Sequence, residues 1–141
     1  MEGLLLGPVK KKNFNSFVAR LMTSDDQLKA TSYPIWKLRE ALEQEPCENG
    51  PKMESEVWMA ADWIVYGKKL IFDLMKEGHE EDRAYRTGPL CENIPQFSME
   101  RWSFWKKRFS ELAASGDDVG IGAACIERIA EALKCMDTAE T

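Results

Sequence analysis

The chain has 141 residues, of which 44% are hydrophobic and 30% charged, and its formal net charge is −5. That length fits one domain with a core of its own, and the composition argues against both a disordered chain and a membrane-embedded one. Lys and Arg alternate with Asp and Glu along the chain, so the clustered basic face of a nucleic-acid binder is not expected.

Residues 1–12 read as a flexible leader. Leu4 to Leu6 is too short for a signal-peptide core or a spanning helix, Glu2 has the wrong charge for a signal sequence, and Lys10 to Lys12 reads as a solvated tail. A cytoplasmic setting with free thiols is therefore expected. Asn13 is placed to cap a first helix, because Phe14, Phe17, Val18 and Leu21 share one face and the pattern ends near Thr23. A second helix starts at Thr31 or Ser32, with Pro34 tolerated in its first turn. Its buried stripe is Ile35, Leu38, Ala41 and Leu42, and Trp36 points away from it. Glu45-Pro46 stops this helix, and Cys47 to Lys52 reads as a turn.

The stretch from Glu54 to Met75 is the most apolar window. On a helical wheel Val57, Ala60, Ala61, Ile64, Ile71, Phe72, Leu74 and Met75 cover one side, and Met59, Trp63, Tyr66 and Leu70 widen the arc. Only Ser55, Asp62, Lys69, Asp73 and Lys76 form a strip suited to water. A helix this apolar belongs in the middle of a domain. Residues 78–97 follow as a long non-periodic loop, a length that marks a lid, a binding loop or a disordered segment. Ser98 then caps a helix with Trp102, Trp105, Phe109 and Leu112 on one face, and Gly116 ends it. Asp117 or Asp118 caps the last helix, whose buried side is Ile126, Ile129, Ala130, Leu133 and Met136. No strand alternation interrupts these patterns. The expected fold is all-α, a single-domain bundle of about five helices around the central apolar one.

The pairing of WMAADWIVYG in the central helix with FSMERWSFWKKRF in the fourth resembles a helical, mostly fungal family catalogued as a domain of unknown function. The resemblance runs from Ile35 to Leu112 and is most specific where a Phe-Ser pair leads into a Trp-x-x-Trp helix. It implies an all-helical fold and a fungal, intracellular setting, and it supplies no catalytic residue. Members of that family often carry longer N-terminal extensions.

Chemistry has few places to reside. Cys47, Cys91, Cys125 and Cys135 include no CxxC pair, and His79 is the one histidine, so neither a zinc site nor any other metal or cofactor is expected. His79 stands among Glu80, Glu81 and Asp82, which favour its charged form but lack the spacing of a calcium loop. Lys68 is the anomaly of the central helix, because the wheel sets it between Ile64 and Phe72. Buried there it would act as a base, a nucleophile or an anion anchor, whereas its aliphatic stem could equally pack inside with the ammonium in water. Asp62 and Tyr66 are four residues apart and could form an acid/base couple under a pocket, with a solvated face as the plainer reading.

The aromatic residues are the stronger lead. Trp58, Trp63, Trp102, Trp105, Phe72 and Phe109, joined by Tyr85 and Phe97 of the loop, either fill the core or line a pocket for a hydrophobic small molecule. Phe104, with Arg101 and Arg108, reads as an exposed contact surface. Two functions follow. The first is a helical module that binds a protein partner or itself as a homodimer, with neither nucleic acid nor membrane as partner. The second is a small cofactor-free isomerase or cyclase acting on a hydrophobic small molecule of fungal specialised metabolism, with Lys68, Asp62 or Tyr66 as its working groups and residues 78–97 as lid.

Overall fold

A computed structural model describes residues 32–45, 50–78 and 80–141. Four α-helices and no strand occur among these residues, so the fold is all-α. They are α1 (Ser32–Leu42), α2 (Gly50–Glu77), α3 (Met99–Ser115) and α4 (Ala123–Ala139). The expected helix over residues 13–23 lies outside the described residues, as do Cys47 and His79.

Helix α1 starts where the proline signal places it and buries Ile35, Leu38, Ala41 and Leu42. Trp36 points outward, with 48% of its surface exposed. Helix α2 is longer than expected, because Gly50 and Pro51 form its first turn instead of a loop, a position where proline loses no hydrogen bond. At Gly67 the backbone leaves the helical region, with φ −122° and ψ 17°, and α2 is kinked there. Gly78 closes the helix in the left-handed conformation, φ +77°, its N–H donating to the Leu74 carbonyl.

Residues 80–97 are not structureless. Two 3-10 turns, Arg83–Tyr85 and Pro89–Cys91, break the segment, and Asp82 caps the first by accepting the Ala84 N–H at 2.8 Å. Ser98 is the N-cap of α3, its hydroxyl accepting the Arg101 N–H at 3.2 Å. Gly116, at φ +41°, ends that helix.

The start of α4 differs from expectation. Asp117 and Asp118 lie in a separate 3-10 turn, Gly116–Val119, and the left-handed Gly120 turns the chain before the helix begins at Ala123. No side chain within that turn caps α4. Instead Glu54 of α2 accepts the Gly122 N–H at 2.9 Å, placing a carboxylate at the positive end of the helix. Gly120 also packs against the start of α2 so closely that a Cβ there would lie 2.5 Å from the Gly50 Cα.

Helix α2 touches all three other helices, most extensively α4 and then α1. Trp63, Trp102, Trp105 and Phe109 are completely buried in the shared core, each contributing roughly 1.5–3 kcal/mol of hydrophobic stabilisation. The inner stripe of α4 is Cys125, Ile129, Ala132 and Met136. Ala130 is exposed, and Ile126 and Leu133 are half-buried at the margin. The structure seats Cys125 and Ala132 at the interface in place of Ile126, Ala130 and Leu133.

Candidate functional site

Two buried charged nodes and one surface groove carry the polar chemistry of the described residues. The first node joins the end of α1 to α3. Arg101 and Glu43 are both fully buried, with Arg101 Nε 2.7 Å from Glu43 Oε2 and Arg101 Nη2 3.1 Å from Oε1. The remaining Arg101 donors reach main-chain carbonyls of the long loop: Tyr85 at 2.8 Å, Gln96 at 3.1 Å and Arg86 at 3.1 Å. All five guanidinium N–H groups are thereby used. Glu43 also accepts the Trp105 indole N–H at 2.6 Å and the Gly88 amide at 2.8 Å, so each carboxylate oxygen receives two donors. The Trp105 ring lies under the guanidinium, 5.3 Å from its carbon, adding a cation–π contact.

The loop is fastened from the α1 side as well. Leu90 donates its amide to the Glu43 carbonyl, and Arg39 donates to the same Arg86 carbonyl that Arg101 uses. Gly88 permits this approach, because a Cβ there would lie 2.8 Å from the Glu43 carbonyl oxygen. Cys91 is held beneath, its thiol pushed up to about 12 by burial and by the charge of Glu43. A buried ion pair with this degree of satisfaction is a fastening for the loop; neither partner has a lone pair or N–H left for a ligand.

The second node joins α2 to α4. Asp62 is fully buried and accepts from Nε of Arg128 at 2.8 Å and from its Nη2 at 2.5 Å. Burial is the largest influence on Arg128 and opposes its charge, but the hydrogen bond and charge of Asp62, with Tyr66 and Glu131, together outweigh it, so the guanidinium is held above its ordinary value. Trp58, Asp62 and Tyr66 follow one another at four-residue spacing along α2, and the Arg128 guanidinium lies across them, 5.9 Å from the Trp58 ring centre and 5.5 Å from that of Tyr66. Glu131 takes a further bond from Arg128 at 3.2 Å.

The groove lies between the second half of α2 and the end of α4. It is open, has a volume of about 390 Å³ and is lined by Lys68, Lys69, Phe72, Asp73, Lys76 and residues 138–141. Glu140 on its wall accepts the Trp102 indole at 2.7 Å and the Lys106 ammonium at 2.8 Å. Lys106 and then Trp102 hold the Glu140 carboxyl below the ordinary carboxylate range.

The expected site residues are distributed over all three places. Asp62 is not on a solvated strip: α4 covers that side of α2 and Arg128 neutralises it. Ser55 of the same strip is also buried. Tyr66 stands beside Asp62 but is 37% exposed, and the Arg128 guanidinium lies over both. Lys68 is partly buried and lines a groove that includes neither Asp62 nor Tyr66. The three candidates of the enzymatic reading therefore do not converge.

Among the aromatic candidates, Trp63, Trp102 and Trp105 are core residues, while Trp58, Tyr85 and Phe104 are half-buried. Tyr85 and Phe97 pack on each other at 5.0 Å. Arg101 is no surface residue, and Arg108 is mostly covered, its Nε donating to the Leu42 carbonyl at 3.0 Å. The expected Arg101–Phe104–Arg108 contact surface is thus not formed by exposed arginines. Glu43, Arg39 and Arg128 were missed by sequence reasoning. The signal for the first was present, because Arg101 falls on the same wheel sector as Trp105, Phe109 and Leu112, within about 80°, and a core arginine demands a buried acid.

A family model described as "Protein of unknown function (DUF3632)" matches residues 9–109. The chain belongs to this family. The match takes in the whole Glu43–Arg101–Trp105 node, whereas Arg128 and Glu140 lie past its end. No curated protein and no solved structure matches the chain.

Proposed function

We propose that this DUF3632 chain is a helical interaction module that binds a protein partner or a second copy of itself through the α2–α4 face. The observation that carries the reading is the Trp58–Arg128–Tyr66 array. Trp, Tyr and Arg are the residue types that dominate interface energetics, and here they are set rigidly, since Asp62 holds the guanidinium before any partner arrives. A side chain already fixed loses little freedom on association, which favours affinity. A cytosolic setting fits the free thiols Cys91, Cys125 and Cys135.

Self-association is tested by sedimentation velocity on the whole chain from micromolar to millimolar concentration. The expected result is a concentration-dependent dimer that Tyr66→Ser weakens at least tenfold, with an unchanged helical circular dichroism spectrum. A wild-type chain that stays monomeric throughout that range overturns the homodimer. Tyr66 is exposed enough for its replacement to leave the fold intact, whereas Arg128 is not a suitable target because its loss strands a buried carboxylate.

A further inference from the structure

The groove at the end of α4 lies further along the α2–α4 seam than the Trp58–Arg128–Tyr66 array, and among the described residues not all of its lysines are paired. Asp73 is paired with Lys69 at 3.3 Å. Glu140 accepts the Trp102 indole N–H and shares the Lys106 ammonium with Asp137, each carboxylate 2.8 Å from it. Lys68 and Lys76 make no ion pair among the described residues, although Lys68 is partly buried. An incoming anion would give these ammonium groups a charge-assisted partner.

The groove also has a fixed aromatic wall. Phe72 is set edge-on against buried Trp102, ring centres 5.2 Å apart and planes at 73°, and the Lys76 ammonium stands 5.7 Å from the Phe72 ring centre. Trp102 is in turn tied to Glu140 across the groove. A flat apolar body fits against Phe72, with its charged end at the lysines. The kink at Gly67 immediately precedes Lys68, the residue that an unbroken wheel would aim at the core.

From this juxtaposition we infer that the groove is a binding site for a small organic anion with a planar apolar body, an aromatic carboxylate or phosphate ester, held by Lys68 and Lys76 and packed on Phe72. The test is isothermal titration of the full chain with phenyl phosphate and with benzoate, using benzyl alcohol as the uncharged counterpart. Saturable 1:1 binding of at least one anion is expected, weakened about tenfold or more in the Lys68→Gln/Lys76→Gln double variant, since each lost contact is a charge-assisted hydrogen bond. Lys107→Gln, an exposed lysine of α3 that does not line the groove, should bind as wild type does. Whichever anion binds identifies carboxylate or phosphate as the preferred head group. Absence of saturable binding by both anions, equal affinity for benzyl alcohol, or unchanged affinity in the double variant overturns the site. Both lysine side chains reach solvent, so the double variant keeps its fold, which circular dichroism verifies.

Discussion

Arg101 shows how a single residue can be misread when charge is taken as a sign of exposure. Burying its guanidinium is tolerable only because five acceptor contacts meet five donors. Lysine at this place would keep the charge but lose the planar fork, and Glu43 would lose its two-point partner. Cys91, packed beside the same carboxylate, gives a residue-scale prediction. Its thiol is raised from an ordinary 9.0 to about 12, by burial first and Glu43 second, with Arg101 and Arg108 acting in the opposite direction. The unfolded chain loses this proton near pH 9, whereas the folded chain retains it. The group's contribution to stability is therefore complete below pH 9 and disappears as the pH rises toward 12. Urea unfolding of wild type and Cys91→Ala, compared between pH 8 and 11, should show a steeper decline for the wild type; parallel declines would contradict the assignment.

At the scale of elements, both ends of α3 and the start of α1 were readable, and the faces of α2 and α4 were not. Ser98 and Gly116 bound α3 as their chemistry requires, and Ser32 with Pro34 starts α1, because caps are local and need no knowledge of the rest of the fold. The faces of α2 and α4 depend on what packs against them. Asp62 became a core residue only because Arg128 arrives from 66 positions away, and no wheel drawn on α2 alone contains that information. Lys68 follows the break in the helix at Gly67 and stands partly buried at the edge of an open groove. Beneath the loop lie Arg101, Glu43 and Trp105, bonded to one another and to its main chain. The approach of Gly120 to Gly50 joins the beginnings of α2 and α4, and it allows a quantitative check. Gly120→Ala has to place a Cβ 2.5 Å from a backbone atom while holding φ at +79°. The strain from the backbone conformation alone is about 1–3 kcal/mol, and with the clash added a loss above 2 kcal/mol is expected in thermal unfolding. An alanine variant of wild-type stability would show that the two segments do not approach so closely.

For the molecule as a whole, the segment between α2 and α3 is tied to α1 and α3 by main-chain hydrogen bonds at residues 85, 86, 88, 90 and 96. Hydrogen exchange should show the Gly88 and Leu90 amides, both bonded to Glu43, protected to an extent unusual for loop positions. In Arg101→Lys that protection should fall towards the level of exposed loops while α2 stays protected, and global stability should drop by about 3–5 kcal/mol as the buried carboxylate loses its partner. If the loop amides exchange as in wild type, something other than this node fastens the segment. The same node bears on how the chain reaches its native state. Three of the five Arg101 donors end on carbonyls at residues 85, 86 and 96, and the other two on a carboxylate at residue 43. An intermediate with α1 and α3 docked but the connecting segment unplaced would strand three N–H groups of a permanent cation away from water. Such half-assembled species are penalised, so folding around Arg101 has few stable stopping points and should proceed as one abrupt, cooperative transition.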